Sequence, residues 1–414
     1  MSRRVVVTGL GAITPIGNNI SNYWDGLLKG KSGAGPITRF DPTKFKTQFA
    51  CEVKNFTPTD FLDKKEARRL DMYAIYAMVA VSEAMADSKL DINKINPDRA
   101  GVIWGSGIGG LDTFLKECGD FAVGSGVPRF NPFFIPKMIA DIAAGHISIK
   151  YGFRGPNFAT VSACASSTHA LIDAFNYIKW GKADIFISGG SEASINEAGV
   201  GGFNAMHALS TRNNSPTTAS RPFDKDRDGF VLGEGSGAII LEEYEHAVAR
   251  EANIYAEIVG GAMTADAHHI TAPHPDGIGA TNVMRLTIKD AGLTPGDVDY
   301  VNVHGTSTPL GDIAEVKAIQ DVFGEHAKKL NISSTKSMTG HLLGAAGAIE
   351  TIATILSVKN NIVPPTINHF TDDPEINQAL NYTFNKAQER EVRSAISNTF
   401  GFGGHNACVM VKKI

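Results

Sequence analysis

The sequence lacks several features that would assign it to other classes of protein. It has no run of about 18 apolar residues, so no transmembrane helix is predicted. The net charge is only −4, which excludes the basic field typical of nucleic-acid-binding proteins. Only four cysteines occur in 414 residues, without a CxxC pair, so neither a disulfide framework nor a zinc cluster is indicated. These absences favour a reduced, cytoplasmic protein that binds neither membrane nor nucleic acid.

The patterns that are present predict an α/β protein. With 43% hydrophobic and 20% charged residues, the chain can form a large core. Short β-branched runs alternate with longer helical patterns, which is typical of covered, mainly parallel sheets. The predicted strands include residues 5–8, 100–104, 185–188 and 301–303, and the predicted helices include residues 64–87, 167–180 and 344–358.

The chain also contains a weak internal repeat. Residues 160–190 run as strand, turn, Ala-rich helix and strand, and residues 331–364 follow a similar order. A Gly-rich hairpin follows each segment, at residues 228–241 and 398–411. We therefore predict a duplicated unit with halves at residues 1–255 and 256–414. Residues 109–139 are predicted to be an insertion in the first half.

Cys164 is the best candidate for a nucleophile. It lies in Ser-Ala-Cys-Ala-Ser-Ser, small residues at a sharp turn where a helical pattern begins. The positive end of a helix dipole favours a thiolate, which is the reactive form of cysteine. The alternative for a lone cysteine is a buried structural role. That alternative is the interpretation for Cys51, Cys118 and Cys408.

Two histidines and a lysine occupy similar turns in the second half. His304 follows a predicted buried strand, His341 precedes a helix, and Lys336 lies just before it. Strand ends are where open α/β sheets present chemistry, and two ring N–H groups can polarise one carbonyl. Nearby acidic residues either lie on a solvated helix face or orient the lysine and histidines. These acidic residues are Asp312, Glu315 and Glu350.

The three blocks around these residues, in this order, resemble β-ketoacyl-[acyl-carrier-protein] synthases of the elongating type, most closely the synthase II group. The resemblance extends from Val-Val-Val-Thr-Gly-Leu-Gly near the start to Gly-Phe-Gly-Gly-His-Asn near the end. It implies the thiolase fold, a duplicated five-layered αβαβα core that works as a homodimer. It also implies acyl carrier protein as the partner that delivers the substrates.

The resemblance implies a two-stage reaction. Cys164 would take an acyl group from its carrier, with the backbone N–H groups of Cys164 and Phe400 as the oxyanion hole. His304 and His341 would then stabilise the enolate formed when malonyl carrier protein loses its carboxylate. Lys336 would belong to an orienting network, and the supporting residues of that network are Asp312, Glu315 and Glu350.

The same resemblance assigns substrate and carrier contacts. Thr306 and Thr308 would bind the pantetheine arm, and the Phe400 side chain would act as a gate between the acyl and malonyl sites. The predicted acyl pocket is lined by Ile108 and Phe203, with Phe133 reaching in from the partner subunit. A basic run would dock the acidic carrier protein, or is simply a solvated helix surface. This run consists of Lys64, Lys65, Arg68 and Arg69.

No cofactor or catalytic metal is expected, because loss of carbon dioxide drives the formation of the carbon–carbon bond. A structural cation is a separate hypothesis. Asn302, Glu350 and Asn398 carry oxygen ligands near predicted turns and could surround such an ion.

Other activities remain open from the sequence. A polyketide-type ketosynthase would use the same chemistry with a different acyl pocket and partner. A non-catalytic partner of a heterodimeric synthase would lack the active cysteine, so Cys164 argues against it. A cysteine hydrolase would not explain the second histidine block, and a thiolase would place a second cysteine nearer the C-terminal Gly-rich loop than Cys408.

Overall fold

The computed structural model describes residues 3–414 as an α/β protein. The strands are β1 (Val5–Ile13), β2 (Gly35–Pro36), β3 (Phe49–Ala50), β4 (Ala100–Gly105), β5 (Asn157–Thr160), β6 (Ile185–Glu192), β7 (Gly235–Glu243), β8 (Ala256–Ala265), β9 (Tyr300–Asn302), β10 (Asn331–Ser333), β11 (Ile362–Val363), β12 (Gln388–Glu389), β13 (Ser394–Gly401) and β14 (His405–Lys412). The helices are α1 (Ile20–Leu28), α2 (Lys64–Ala67), α3 (Met72–Ser88), α4 (Leu111–Val123), α5 (Phe134–Met138), α6 (Ile142–Tyr151), α7 (Ser166–Lys179), α8 (Glu197–Ala205), α9 (Tyr244–Ala249), α10 (Ile278–Asp290), α11 (Pro309–Phe323), α12 (Lys336–Thr339) and α13 (Ala346–Asn360).

The main sheet repeats one arrangement twice. Its strand order is β10-β9-β13-β14-β8-β1-β7-β6-β4-β5. In the first half β5, β4 and β6 are parallel, and β7 and β1 follow with antiparallel pairing. In the second half β10, β9 and β13 are parallel, and β14 and β8 follow in the same way. The halves join where β1 pairs with β8 over a short stretch, and the predicted duplication is confirmed.

The helices and the two half-sheets form five layers. Helices α7 and α13 pack between the halves, against apolar residues of both. Helix α3 covers the outer face of the first half, and α10 and α11 cover that of the second. A strand between two helical layers must bury side chains on both of its faces. In β7, Ile239 and Leu241 point to the middle layer, and Ala238 and Ile240 point to the outer layer. The predicted αβαβα architecture of the thiolase fold is confirmed.

The long helix predicted over residues 64–87 is wrong, because the chain breaks into α2 and α3. The Asp63 side chain caps α2, and Asp71 accepts a hydrogen bond from the Tyr73 N–H at the start of α3. Asp71 also accepts two hydrogen bonds from Thr113, which ties α3 to α4. An apolar pattern alone does not reveal such a break, because these caps depend on short polar side chains.

Helices α4 and α5 have no counterpart between β9 and β10 in the structure of residues 3–414, which agrees with an insertion in the first half. Strand β8 begins at Ala256, and the division into residues 1–255 and 256–414 stays a prediction. In the same described part of the chain, no helix has the length and apolarity needed to cross a membrane.

The parallel strands of both halves end at turns that carry the predicted site residues. Cys164 lies between β5 and α7, and His304 follows β9. Lys336 and His341 lie between β10 and α13, the same place that Cys164 occupies in the first half. Since carboxyl ends of parallel strands meet at one edge of a sheet, the duplication brings these turns together.

Candidate active site

A cavity of about 580 Å³ collects the predicted catalytic side chains. Cys164, His304 and His341 all line it, although they come from three separate turns. Its apolar wall includes Phe230 and Leu343, which pack in one cluster with Cys164. Predicted substrate contacts that also line the cavity are Phe203, Thr306, Thr308 and Phe400.

The turn that carries Cys164 is held in an unusual backbone conformation. Ala163 has φ of 50°, a left-handed conformation that costs energy for a residue with a side chain. The Ser166 hydroxyl donates to the Ala163 carbonyl at 2.7 Å and accepts from the Ser162 N–H at 2.9 Å. These bonds fix the turn immediately before α7, and the Cys164 side chain is held at the cavity wall.

The predicted lowering of the Cys164 pKa is wrong for the isolated chain. Burial raises the pKa of the thiol to about 12, although the positive charge of Lys336 acts in the opposite direction. Desolvation of a thiolate therefore outweighs the helix-end effect in this cavity. His341 Nε2 lies 3.0 Å from Cys164 Sγ, which places a proton acceptor directly beside the thiol.

The two histidine rings stand nearly perpendicular to each other. Their centroids are 5.2 Å apart with an interplanar angle of 88°. Burial lowers the pKa of both His304 and His341 well below 6.5, and the charge of Lys336 lowers it further. Both rings are therefore neutral near pH 7 and can act as N–H donors. Gly340 has φ of 70°, so the tight turn before His341 requires glycine.

Lys336 forms a buried ion pair with Glu350. Lys336 Nζ lies 2.5 Å from Glu350 Oε1, and the two side chains are 1% and 0% exposed. Burial raises the pKa of Glu350 to about 7, while the adjacent Lys336 opposes that change. Two opposite charges buried without water stabilise each other only when they lie close together. The ion pair therefore holds the positive charge of Lys336 near the two histidines and Cys164.

The acidic residues on α11 are buried, which excludes a solvated helix face for them. Glu315 accepts hydrogen bonds from the backbone N–H of His304 at 2.9 Å and from the following N–H at 2.8 Å. Asp312 accepts from the Phe223 N–H at 2.9 Å and lies 3.7 Å from Arg227 Nε. Glu315 thus positions the His304 turn, whereas Asp312 anchors the start of α11.

Phe402 is a second candidate, beside the predicted Phe400, for the backbone N–H of the oxyanion hole. The backbone N–H groups of Phe402 and of Cys164 itself favour the thiolate, since both act to lower the pKa of Cys164 against the effect of burial. Phe400 lies inside β13 and pairs with Asn406 across the ladder, whereas Phe402 lies in the turn before β14. The ring of Phe400 still faces the site, 5.6 Å from that of His304.

The predicted substrate residues divide into two groups. The hydroxyls of Thr306 and Thr308 lie 3.0 Å apart on the cavity wall, and Phe203 also lines it. Ile108 and Phe133 do not line this cavity within one chain of residues 3–414, and both are about 40% exposed. Their role in an acyl pocket therefore stays a prediction.

The basic run forms one exposed surface on and beside α2. Its four residues and Phe133 line a shallow depression, and the Arg69 guanidinium lies 5.1 Å from the centre of the Phe133 ring. Phe133 is therefore next to the basic surface of its own chain. The members of this basic surface, all exposed, are Lys64, Lys65, Arg68 and Arg69.

Four oxygens of the three residues predicted to surround a cation are buried and accept no hydrogen bond from the described residues. These are Oδ1 of Asn302, Oδ1 of Asn398 and both carboxylate oxygens of Glu350. No group of three His, Cys, Asp or Glu side chains with the geometry of a metal site occurs in residues 3–414. The structural cation stays a prediction.

The sequence analysis missed two buried charged residues at the site. Arg227 donates to the Thr308 carbonyl at 3.2 Å and the Pro309 carbonyl at 2.9 Å, so it holds the start of α11. Glu192 ends β6 and contacts two loops near Cys164. The only sequence signal for Glu192 was an acidic residue after Gly-Gly-Ser at a strand end.

Two family models match most of the chain. Residues 2–247 match the N-terminal domain of β-ketoacyl synthases. Residues 255–370 match the C-terminal domain of the same enzymes. The two matches cover well over half of the sequence.

Curated relatives match over their full length. The chain is 52% identical over 411 residues to 3-oxoacyl-[acyl-carrier-protein] synthase 2 of Synechocystis sp., covering 99% of this chain and 98% of the relative. It is 51% identical over 415 residues to the protein of the same name in Staphylococcus aureus (strain COL), covering 100% and 99%.

Solved ketosynthases share the fold. A β-ketoacyl synthase from Burkholderia phymatum has a TM-score of 0.92 at 34% identity, with 100% of both chains covered. A type II polyketide ketosynthase, solved in complex with its acyl-carrier protein and bound to a hexaketide, has a TM-score of 0.88 at 33% identity, again with 100% of both chains covered.

Proposed function

The chain belongs to the β-ketoacyl synthase family, and on this basis we propose that it condenses malonyl carrier protein with an acyl group held on Cys164. It is a 3-oxoacyl-[acyl-carrier-protein] synthase that extends fatty acyl chains by two carbon atoms. The observation that carries the mechanism is the convergence of Cys164, His304 and His341 on one cavity.

The first stage transfers the acyl group. The Cys164 sulfur attacks the thioester carbon of an acyl carrier protein, and its proton passes to His341 Nε2, 3.0 Å away. The backbone N–H groups of Cys164 and Phe402 stabilise the negative oxygen of the tetrahedral intermediate. The pantetheine sulfur leaves with the proton that His341 returns, so the enzyme holds a thioester and the histidine is neutral again.

The second stage forms the carbon–carbon bond. Malonyl carrier protein loses carbon dioxide, and the electrons of the broken bond form an enolate. Before this stage the His341 ring proton moves through water from Nδ1 to Nε2, so that His304 and His341 can each donate a hydrogen bond to the thioester oxygen, while Thr306 and Thr308 contact the pantetheine arm. The enolate carbon attacks the acyl-enzyme, and Cys164 leaves as a thiolate near the positive charge of Lys336. The thiolate takes up one proton from water, which regenerates the thiol for the next acyl transfer. This cycle needs no metal or redox cofactor, since the loss of carbon dioxide drives it.

The direct test incubates the purified protein with malonyl carrier protein and a series of acyl carrier proteins. We expect release of carbon dioxide and a β-ketoacyl product two carbon atoms longer than the acyl donor, measured by mass. Release of free fatty acid without extension would instead identify a hydrolase and reject the proposal.

Sequence similarity favours the fatty-acid pathway over the polyketide alternative. The chain is 52% identical to a 3-oxoacyl-[acyl-carrier-protein] synthase 2 but 33% identical to the polyketide ketosynthase. Cys164 and both histidines are present, which disfavours a non-catalytic partner of a heterodimeric synthase.

We infer that the basic surface docks the acidic carrier protein. Lys65 and Arg69 are exposed, four residues apart, beside the exposed ring of Phe133. Changing both to glutamate should weaken carrier-protein binding about tenfold at low ionic strength, with less effect in high salt, because exposed charges are screened. Surface plasmon resonance at two salt concentrations measures this.

The matched control reverses Arg285 and Lys289 to glutamate. These two residues are also exposed and four positions apart, but they lie on α10 in the other outer layer. Carrier affinity should be nearly unchanged in the control. Equal weakening by both double variants would mean that only net charge matters and would remove the docking role.

We also propose that the active form is a homodimer. Strand β5 lies at one edge of the sheet, and the chain segment around it exposes many apolar side chains. Phe133, predicted to reach an acyl pocket, does not contact the cavity of its own chain, which leaves a second copy to supply it. Light scattering should give twice the mass of one chain, and a monomeric mass would reject the dimer. The exposed apolar residues include Phe114, Phe121, Val127, Phe130, Ile135, Ile149 and Val161.

A further inference from the structure

Glu192 is a fully buried carboxylate without a charged partner. It ends β6 and is 0% exposed, and no lysine, arginine or histidine of residues 3–414 forms an ion pair with it. Burial raises its pKa to about 7. Burying a carboxylate without a charged partner costs free energy unless several hydrogen-bond donors surround it. The hydrogen bonds of Glu192 therefore indicate what this carboxylate does in the fold.

Four donors from two loops converge on this carboxylate. Oε1 accepts from the Ser106 hydroxyl and from the Ile108 N–H, both at 3.2 Å. Oε2 accepts from the Gly107 N–H at 2.8 Å and from the Gly344 N–H at 3.0 Å. One side chain therefore joins the loop after β4 to the turn that follows His341.

The two loops touch each other and the nucleophile turn. A Cβ at Gly344 would lie 2.2 Å from the Gly107 nitrogen, and a Cβ at Gly107 would lie 3.3 Å from the Ala163 carbonyl oxygen. Leu343, next to Gly344, lines the cavity with Cys164. Glu192 thus joins the turn of Leu343, which lines the cavity, to the loop of Ile108, whose side chain is a predicted acyl-pocket residue outside this cavity.

We propose that Glu192 is a positioning residue that determines acyl-chain specificity, because it fixes the spacing between the Ile108 loop and the Leu343 turn. This inference rests on the proposed condensing function. Neither loop has a charged residue of its own that could bind it to the other loop. The Glu192 carboxylate therefore determines how far the two loops can separate to admit a longer acyl chain.

The Glu192→Gln variant tests the proposal with little change in shape. The glutamine carbonyl can keep the Gly107 and Gly344 hydrogen bonds, and the Ser106 hydroxyl can rotate to accept from the new NH₂ group. The Ile108 N–H then faces a donor and loses its acceptor. The Ile108 loop is released, whereas the turn beside His341 stays in place.

We expect kcat/KM for a long acyl donor relative to a short one to rise about tenfold in Glu192→Gln. Decarboxylation of malonyl carrier protein should change less than about twofold, since the histidines keep their positions. Ser106→Ala, which removes one donor to the same carboxylate, should change the ratio in the same direction by less. If Glu192→Gln does not fold, Ser106→Ala provides the test in its place.

Glu234→Gln is the matched control, because Glu234 is also a buried glutamate but pairs with Arg39 away from the cavity. It should leave the ratio unchanged. An unchanged ratio in folded Glu192→Gln or Ser106→Ala, or an equal loss for all donors and for decarboxylation, would overturn the proposal. If the wild-type protein extends no acyl donor, the condensing function fails instead.

Discussion

Cys164→Ala is expected to abolish acyl transfer and condensation while carbon dioxide release from malonyl carrier protein survives. The sulfur is the only atom that forms a bond to the acyl group, so its loss should lower the condensation rate by at least about four orders of magnitude. The decarboxylation step uses His304 and His341, and both remain at the cavity. Mass spectrometry of the protein after incubation with acyl carrier protein reports the acyl-enzyme, and radiolabelled malonyl carrier protein reports carbon dioxide.

Cys118→Ala controls for the loss of a thiol in general. Cys118 lies on α4, is partly exposed and does not line the cavity. This variant should form the acyl-enzyme at the wild-type rate. An acylated Cys164→Ala protein would place the nucleophile elsewhere. Loss of decarboxylation together with acylation, in a folded protein, would show that the thiol also supports the second stage.

Much of the fold could be predicted because its strands are short, apolar and punctuated by glycine. Strand β4 and helix α7 lie within one residue of their predicted ranges, since local patterns determine both. The break between α2 and α3 was missed, because Asp71 is stabilised by Thr113 of α4 as well as by its own helix. A contact across 42 positions leaves no periodic pattern in the sequence.

The residues proposed as catalytic could be singled out in the sequence because Cys164 and His304 lie at turns after strands and His341 lies at a turn that opens a helix. The pKa values of these residues could not be predicted from the sequence, since the pKa of Cys164 depends on how much water the folded cavity excludes. Phe402 was missed for a related reason, because only the folded hairpin shows which N–H leaves the β13–β14 ladder. Glu192 acts on loops far away in the sequence, so its role is visible only in the structure.

Alanine at His304 or at His341 is expected to reduce decarboxylation of malonyl carrier protein by about 10²–10³-fold. Each ring supplies one neutral N–H donor to the enolate oxygen, and in a buried cavity no water replaces it without cost. The measurement is carbon dioxide release in the absence of an acyl donor, which isolates this step from transfer to Cys164.

The two histidines should differ in their effect on the rate at which the acyl-enzyme forms. His341 Nε2 lies 3.0 Å from Cys164 Sγ, whereas no hydrogen bond joins His304 to Cys164 in residues 3–414, although both line the cavity. His304→Ala should therefore form the acyl-enzyme at nearly the wild-type rate. His341→Ala should form it about 10²-fold or more slowly, because the thiol, with its raised pKa, loses its proton acceptor.

The double variant tests whether the rings act on one oxygen. Their centroids are 5.2 Å apart, so a single thioester oxygen can receive both donors, and removing the second should cost much less than removing the first. His207→Ala is the control, since His207 lines the mouth of the same cavity but is exposed. Fully additive losses would mean that the two histidines stabilise different charges, and a wild-type decarboxylation rate in either single variant would remove that residue from the second stage.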